Sequence, residues 1–485
     1  MSTFLTVESS PSTVLPLKKG PNNQPARMES SIDLSDMQAT SHSPDEDTIR
    51  PNLSPCQGEP HSPNDLEMIR PASPLDAIIA DEIQTLSSPP TNNWRLLSCC
   101  LMCFGNGLSD SAPGALIPYM EKQYNLNYAL VSLIFVGQAC GFLIGTPITH
   151  PLDVRLGRGK TLALAEALLL GAFILLASQP PFPLVVLAFL IIGLGMALNL
   201  SLNNVFVANL ARATTLLGWF HGAYGIGATV GPLMATGLIS SHRNWSVYYT
   251  IPLAIVACAI ASAFWTFRAY ERDNPHLALI HRTKSGASVS KVRLLGESFK
   301  SRTTLLGALF IFAYQGAEVS ISGWVISFLI TYRGASPSRA GFVTAGFWAG
   351  VTLGRFILAQ PCHRIGEKTA VFGLIVGTAC CQLLVWLVPN FIGEAVAVSI
   401  VGLLLGPVYP CSTAVFSRLI DRRLQVNSLT IISALGFGGA AIAPFFTGLL
   451  AQHVGTWVLH PICLGLFSVM LISWLSLPKL IKRTV

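Results

Sequence analysis

The sequence predicts an all-α membrane protein with twelve transmembrane helices in two pseudo-symmetric six-helix bundles. Residues of the apolar set AVILMFWYC make up 51% of the 485-residue chain, only 11% are charged, and long apolar runs recur throughout. Runs of this length match a hydrocarbon core roughly 30 Å thick. An internal repeat and the distribution of the basic residues support the same architecture.

Seven positions repeat along the chain at a constant offset of 209 residues. Because the intervening segments have diverged and the chain holds only 41 glycines, these matches indicate that two halves derive from one unit. In an apolar chain such a repeat is typical of secondary transporters, whose halves face each other across a central site. The pairs are Gly107 with Gly316, Gly114 with Gly323, Gly141 with Gly350, Gly145 with Gly354, Arg155 with Arg364, Gly157 with Gly366 and Gly193 with Gly402.

The apolar runs predict six spans before a polar loop and six after it. Spans one and seven differ from the others because they contain acidic residues. We place the spans at 94–119, 128–150, 160–178, 182–207, 215–240, 246–266, 303–331, 338–359, 367–388, 391–416, 424–452 and 456–477. The expected domains are an N-terminal bundle at 94–266, a cytosolic central loop at 267–302, a C-terminal bundle at 303–477 and a short cytosolic C-terminus at 478–485.

Residues 1–93 differ in composition from the rest of the chain. They hold thirteen prolines and thirteen acidic against five basic side chains, with no run able to bury a core, which predicts a disordered cytosolic tail. No signal peptide is evident, so the first span is expected to direct insertion. Ser-Pro pairs such as Ser43-Pro44 offer phosphorylation sites, and a solvated tether without a regulatory role is the alternative.

The basic residues set the expected orientation. With the N-terminus inside, 22 basic residues beyond the tail fall on the cytosolic side and four on the other, as the positive-inside rule requires. Both termini are therefore expected in the cytosol, with the cell membrane as the location and the vacuole or peroxisome as alternatives. The basic residues are scattered over short loops, which argues against a nucleic-acid partner.

The segments after spans two and eight share a pattern of glycine and basic residues. Glycine allows close helix packing, and a tight Arg-x-Gly turn directs cations to helix C-termini and to acids across the cytosolic face, where they can latch one conformation. Ordinary positive-inside topology is the alternative. The pattern comprises Gly145, Asp153, Arg155, Gly157, Arg158 and Lys160 in the first half and Gly354, Arg355, Arg364 and Gly366 in the second.

This pattern resembles the loop motif of the major facilitator superfamily, here present in both halves. The usual acid of that motif directly precedes the arginine, whereas Val154 holds that position and Asp153 is displaced by one residue. We therefore expect a rewired ion pair, with Arg158 as the partner. The resemblance covers about residues 94–480 and implies an alternating-access carrier with a midplane site.

Within that superfamily, the polar first span and the region 195–206 are distantly similar to the fucose-proton symporter branch and its fungal relatives. Asn199 stands where those carriers place a glutamate. The long Ser/Pro-rich tail joined to such a bundle resembles fungal members of the superfamily, many of which export metabolites.

Span five is rich in glycine, and its spacing resembles the fifth-helix motif of the superfamily's antiporters. Plain close packing is the alternative. The packing residues that we single out are Gly227, Gly231 and Pro232, with Pro444 in span eleven. The Gly159-Lys160-Thr161 sequence lacks the first glycine of a P-loop, and no catalytic arrangement is visible. We expect no enzyme activity, no cofactor and no metal.

Two acidic residues at membrane depth are the candidates for proton coupling. Asp110 lies in a broken polar stretch of span one, and Glu318 of span seven lies one residue from its repeat equivalent. A carboxyl in a low-dielectric interior is costly to ionise, so it can bind and release a proton as a cavity opens to either side. A neutral, hydrogen-bonded structural acid is the alternative for each.

Amide and aromatic side chains complete the expected solute site. Amides orient hydroxyl, carboxylate or peptide groups, and aromatic faces cover apolar or sugar-ring surfaces, so the expected solute is small and partly polar. The candidates are Asn106, Gln138, Asn199, Asn203, Gln315, Trp324, Trp348, Gln382 and Tyr409. Asn244 starts a glycosylation sequon close to the membrane on the outer side.

These observations predict a monomeric secondary transporter in a lipid bilayer, moving a small organic solute with protons as the coupling ion. Export of a metabolite and uptake of a sugar-like solute are the two alternatives for its direction. A non-transporting sensor with a carrier fold is the alternative from another functional class.

Overall fold

The computed structural model describes residues 84–273, 296–421 and 424–478, and the regular structure within these ranges is helical. Most of the predicted tail, much of the predicted central loop and nearly all of the predicted C-terminus lie outside the described residues.

The N-terminal half begins with two consecutive helices and ends with a short helix beyond its last long one. Its helices are α1 (Thr91–Ser111), α2 (Pro113–Tyr124), α3 (Tyr128–Val131), α4 (Leu133–Leu156), α5 (Arg158–Ala177), α6 (Phe182–Ala208), α7 (Ala213–Ser240), α8 (Thr250–Phe267) and α9 (Tyr270–Asp273). A 3₁₀ turn at Trp245–Tyr249 precedes α8.

The C-terminal half has an unbroken first helix, its second span is followed by a short separate helix, and its fourth span is divided into two helices. Its helices are α10 (Arg302–Thr331), α11 (Pro337–Ile357), α12 (Ala359–Ile365), α13 (Glu367–Leu387), α14 (Phe391–Leu405), α15 (Val408–Leu419), α16 (Gln425–Val454) and α17 (Leu459–Leu475). A 3₁₀ turn at Thr456–Val458 precedes α17.

Eleven helical segments in the described part of the chain are long and apolar enough to cross a membrane. The sequence predicts twelve, and the missing one is span one, which the structure divides into α1 and α2. Pro113 lacks a backbone N–H and cannot continue the hydrogen bonding of α1. Span seven, which also contains an acid, is the continuous helix α10.

Hydrogen bonds from side chains stabilise the backbone near this break. The Ser111 hydroxyl donates to the carbonyl of Gly107 at 2.9 Å, and the Tyr248 hydroxyl donates to the carbonyl of Leu108 at 2.8 Å. Ala112, the one residue between α1 and α2, keeps α-helical dihedrals of φ −72° and ψ −32°, so the interruption is local. Hydrogen bonds from Ser111 and Tyr248 hold the last turn of α1, which contains Asp110.

The paired glycines pack against backbone that is itself related by the 209-residue offset. Gly141 of α4 lies against the carbonyl of Leu190, and Gly350 of α11 lies against the carbonyl of Ser399. A β-carbon at either glycine would overlap the facing backbone, so these helices pack at the distance that glycine allows. The correspondence extends to Gly193 and Gly402 against Gln138 and Phe347, and to Gly145 and Gly354 against Leu194 and Leu403.

The ends of several helices meet on one face of the bundle, which we call the terminal face because α1 begins and α17 ends there. In the N-terminal half, Arg95 of α1 bonds to the carbonyl of Thr266 at 3.1 Å. In the C-terminal half, Lys368 bonds to the carbonyl of Leu477 at 2.9 Å. The start of α7 packs against the end of α11 through Gly222 and Phe356, which joins the two halves near this face.

On the opposite face the two halves are in direct contact. Gly114 of α2 lies against the carbonyl of Ser322, and the Tyr128 amide donates to Gln452 Oε1 at 3.1 Å. The Tyr128 ring meets the Trp324 ring edge-on, with centroids 5.7 Å apart. These contacts close the bundle at the opposite face.

Alanine at Gly141 is expected to destabilise the protein by about 1–3 kcal/mol, because the new methyl group overlaps the α6 backbone. Alanine at Gly350 should have a similar effect, since its environment is the repeat equivalent. Thermal unfolding of the purified protein in detergent measures both. Gly171→Ala is the control, because nothing lies within 4 Å of a β-carbon there; equal melting of Gly141→Ala and this control would contradict the packing argument.

Candidate functional site

Asp110 is hydrogen-bonded by two neutral donors of the N-terminal half. Gln138 of α4 donates to Oδ1 at 2.5 Å, and the Tyr224 hydroxyl of α7 donates to Oδ2 at 3.0 Å. Three helices therefore fix this carboxyl group, which remains partly exposed. No cation is paired with Asp110 among the described residues.

Glu318 is the corresponding acid of the C-terminal half, and it has a cationic partner. The Tyr314 hydroxyl, one turn earlier on α10, donates to Oε1 at 3.0 Å. The Arg355 Nη2 atom of α11 lies 3.6 Å from the same oxygen. The Glu318 side chain is 6% exposed and that of Arg355 is 26% exposed, so the buried acid is paired with a more accessible guanidinium group.

These two groups of residues lie close enough to interact across the boundary between the halves. Tyr224, which bonds to Asp110, packs against Trp348 of α11, the helix that carries Arg355, with ring centroids 6.3 Å apart. We call this set the central charged cluster; its members are Asp110, Tyr224, Tyr314, Glu318 and Arg355.

Several predicted solute ligands lie beside the central charged cluster. The Trp348 ring of α11 meets the Tyr224 ring with centroids 6.3 Å apart, and the Tyr409 ring meets the Tyr314 ring at 5.8 Å. Gln138 contacts Asp110 directly. Gln315 lies three residues before Glu318 on α10. Its partly buried side chain contacts Gly436 of α16.

The three predicted asparagine ligands lie in a separate network inside the N-terminal half. Asn106 of α1 and Asn199 of α6 exchange hydrogen bonds at 2.9 and 3.3 Å, and Asn199 also donates to Glu166 of α5 at 2.7 Å. Asn203 accepts from the Cys99 thiol at 3.4 Å. All of these asparagines are buried, so in this conformation their polar groups are used within the protein.

Trp324 and Gln382 lie away from the central charged cluster. Trp324 Nε1 donates to the carbonyl of Pro444 at 2.9 Å, and its ring packs against Tyr128 at the opposite face. Gln382 bonds to His460 at 2.9 Å between α13 and α17. Both side chains are buried within contacts between helices.

The predicted loop motif of the first half forms an ion-pair cluster at the terminal face. Arg158 donates to both oxygens of Asp153, at 3.1 and 2.9 Å, and to the carbonyl of Leu202 at 2.7 Å. Its backbone N–H donates to Glu271 at 2.6 Å. The Arg158 guanidinium lies 5.1 Å from the centre of the Tyr270 ring, and burial raises the pKa of that hydroxyl.

The loop motif of the second half is built differently. Glu367 accepts from Arg418 at 2.6 Å and is bonded to His363 at 2.8 Å. Gly157 and Gly366 share a positive φ, of 82° and 101°, which explains glycine at both positions. Arg155, Lys160 and Arg364 are exposed, whereas Arg355, predicted as part of this latch, extends instead to Glu318.

The predicted packing residues of spans five and eleven lie at helix contacts. Gly227 of α7 lies against the carbonyl of Phe104, and Gly231 lies against Ser111 of α1. Pro232 lies inside α7 and Pro444 lies inside α16. Asn244, the first residue of the predicted sequon, is exposed just before the 3₁₀ turn at Trp245–Tyr249.

Tyr224, Tyr314, Glu271 and Arg418 are members of these clusters that the sequence analysis did not select. Tyrosine in an apolar helix carries no distinctive pattern, Arg418 counts only among the basic residues that set the orientation, and Glu271 has no distinctive sequence context. One available signal was Arg355, because its repeat equivalent, Thr146, is uncharged. A charge that one half alone carries inside a predicted span points to function.

The helical bundle, its spans and its internal charged cluster define a multi-pass integral membrane protein of the solute-carrier class. The sequence profile of the Major Facilitator Superfamily matches residues 99–444. The chain belongs to this superfamily of sugar and small-solute carriers, which points away from an enzyme.

Individual relatives agree with this assignment. The chain is 25% identical over 452 residues to Bypass of stop codon protein 6 of Saccharomyces cerevisiae, covering 88% of this chain and 90% of that protein. It is 24% identical over 394 residues to the glucose/mannose transporter GlcP of Bacillus subtilis, covering 79% and 93%. Its fold is similar to the crystal structure of the nucleoside transporter NupG, with a TM-score of 0.64, 15% identity, and 79% and 100% coverage.

Leucine at Glu166 is expected to destabilise the N-terminal half by about 1–3 kcal/mol, because one buried N–H of Asn199 loses its acceptor. Glu166→Gln is the matched variant, since its amide oxygen can still accept that hydrogen bond. Thermal unfolding in detergent should therefore rank the wild type and Glu166→Gln above Glu166→Leu. Equal melting of the two variants would show that the hydrogen bond contributes nothing.

Proposed function

We propose that the protein is a proton-coupled secondary transporter of a small, partly polar organic solute, and that it exports a metabolite. The observation that carries the proposal is the central charged cluster, which places an acid of each half beside the contact between α7 and α11. Moving the halves relative to each other changes the surroundings of both acids, and therefore the free energy of binding a proton to each.

The residues around the cluster support a polar solute. The Gln138 amide and the Tyr224 and Tyr314 hydroxyl groups supply hydrogen-bonding groups, and Trp348 and Tyr409 supply aromatic surface. Such a mixture is typical of a site that orients a small organic molecule. We assign the solute to this site.

Uptake of a sugar-like solute is the second candidate function. The name of the Bacillus subtilis relative, a glucose/mannose transporter, favours it. The glycine spacing of α7, which resembles the fifth-helix motif of the superfamily's antiporters, favours export. Metabolite profiling of cells with and without the protein, inside and outside the cell, distinguishes the two directions and identifies the solute. Solute flux in reconstituted vesicles excludes a sensor that does not transport.

The substitutions Asp110→Asn and Glu318→Gln are each expected to abolish solute accumulation driven by a pH gradient, because an amide side chain cannot bind and release a proton in this pH range. Exchange of labelled for unlabelled solute, which needs no net proton movement, should persist. Vesicles that contain the purified full chain and a pH-sensitive dye measure solute and proton flux together.

Asp421→Asn is the control for this experiment, because Asp421 is an exposed acid remote in sequence from the cluster. It should retain coupled flux at the level of the wild type. If Asp110→Asn and Glu318→Gln both retain coupled flux, the assignment of the proton to this cluster is wrong.

Tryptophan at Gly448 is expected to separate the two halves at the opposite face. A side chain there would overlap Trp324, the Tyr128 carbonyl and Ser132. Spin labels on cysteines introduced at the exposed positions Leu130 and Leu450 report this separation as a longer distance. Gly465→Trp is the control, because nothing lies within 4 Å of a β-carbon there; an unchanged distance in Gly448→Trp would contradict alternating closure at this face.

A further inference from the structure

We propose that the transported solute carries a carboxylate, that Arg355 binds it, and that proton uptake by Glu318 releases Arg355 for this purpose. The inference rests on the proposed function and names the chemical class of its solute. The observation behind it is the incomplete pairing of Arg355 with Glu318 at the boundary between the halves.

Arg355 contacts the Tyr314 hydroxyl as well as Glu318, and neither contact is a bidentate pair with its guanidinium group. One Arg355 nitrogen approaches one Glu318 oxygen at 3.6 Å, which is outside the range of a good hydrogen bond. A guanidinium group has five N–H donors in a planar fork that matches the two oxygens of a carboxylate. With its side chain 26% exposed, against 6% for Glu318, Arg355 is the member of the pair that a solute can reach.

A second donor lies on the same face of α11. Trp348 precedes Arg355 by two helical turns, its side chain is buried, and its Nε1 has no hydrogen-bond partner among the described residues. A buried N–H without a partner costs free energy that a bound acceptor recovers. Trp348 and Thr352 of this face contact Tyr224 and Gly225 of α7, so the face lies at the junction of the two halves.

The balance of charge favours an anion over a neutral solute. When Glu318 takes up a proton from water, its carboxylate becomes a neutral acid and Arg355 loses its anionic partner. A buried cation without a partner is costly. A solute carboxylate that enters with the proton restores the pair, and the net charge of the interior is unchanged. One proton and one monoanion then cross together, the movement is electrically neutral, and in the export direction it follows the outward gradient of the solute rather than an inward flow of protons.

The charged and titratable groups that face Glu318 come from four helices. Tyr314 is on its own helix, Arg355 is on α11, and Asp110 and Tyr224 are on α1 and α7. His221 of α7 and Cys103 of α1 are the further titratable groups near Arg355. Charged groups elsewhere on the helices packed against α10 lie near helix ends: Glu121 and Lys122 of α2, Arg339 of α11, Glu394 of α14 and Arg418 of α15. Arg355 is therefore the cation available to a solute at the cluster.

Thermal stabilisation of the purified full chain by a matched set of probes tests this proposal. D-glucuronate and D-glucose differ by a carboxylate in place of a hydroxymethyl group, and pyruvate and lactate extend the class of monocarboxylates. We expect the carboxylates, but not glucose, to stabilise the wild type, and to bind more tightly at about pH 5.5 than at about pH 7.5. The probes themselves remain largely ionised at both pH values, so the difference reports on the protein.

The variants separate the roles of the two residues. Arg355→Gln should weaken carboxylate binding roughly tenfold or more, and Arg355→Lys should restore part of it. Glu318→Gln should bind carboxylates at both pH values as tightly as the wild type does at the lower one, since its Arg355 has no anionic partner. A merely structural role for Glu318 would not remove the pH dependence. Asp421→Asn should behave as the wild type.

Three outcomes would overturn the proposal: no carboxylate stabilises the wild type, Arg355→Gln leaves the stabilisation unchanged, or Glu318→Gln keeps the pH dependence of the wild type. Proton flux in vesicles distinguishes these from failure of the proposed function. Proton-coupled flux of a neutral solute would support proton coupling and contradict the carboxylate site. Carboxylate binding without proton flux would support the carboxylate site and contradict proton coupling.

Discussion

Close approach of helix backbones at glycine is the constraint on which the rest of the structure depends. A bilayer supplies no hydrophobic force to hold one apolar helix against another, so helices associate through packing and polar contacts. Gly141 and Gly193 place α4 and α6 in mutual backbone contact, and Gly350 and Gly402 do the same for α11 and α14. These contacts fix the spacing of one helix pair in each half, and the alternating-access proposal places the relative motion at the boundary between the halves.

The two halves share their packing but not their charges. Asp110 has neutral donors and no repeat-related cation, while Glu318 has Arg355, whose equivalent in the first half is Thr146. Packing contacts are needed by both copies of the original unit, so the repeat keeps them. Chemistry at a single central site needs one copy of each group, so the charged residues were free to diverge.

The same distinction explains how much the sequence could predict. The repeat, the apolar runs and the glycine pairs depend on local composition, and from them the helical fold and nearly all spans follow. Span one was less certain because Pro113 and its polar neighbours break the helix.

Asp110 and Glu318 were recognisable as acids at membrane depth. The partners of these two acids could not be predicted, because Tyr224 and Arg355 lie on other helices. No spacing rule in the sequence shows which faces of two helices pack together. Asn199 and Asn203 have the helical spacing of a ligand set, yet their amides serve contacts between helices.

Arg355 combines a charge that one half alone carries with a position at the packing contact between the two halves. The seam between α7 and α11 combines close contacts at glycine, Gly222 with Phe356 and Gly225 with Thr352, with the aromatic contact of Tyr224 and Trp348. These contacts join the two halves, so a movement of one half against the other changes them. Arg355 belongs to the same stretch of α11 and follows Thr352, which contacts Gly225 across the seam. In the proposed transport cycle, a rotation of α11 against α7 changes the distance from this cation to the groups of the N-terminal half, while Glu318 of α10 stays within its reach. Electrostatic energies are large in a low-dielectric interior, so such a displacement would change the free energy of binding a proton to each acid.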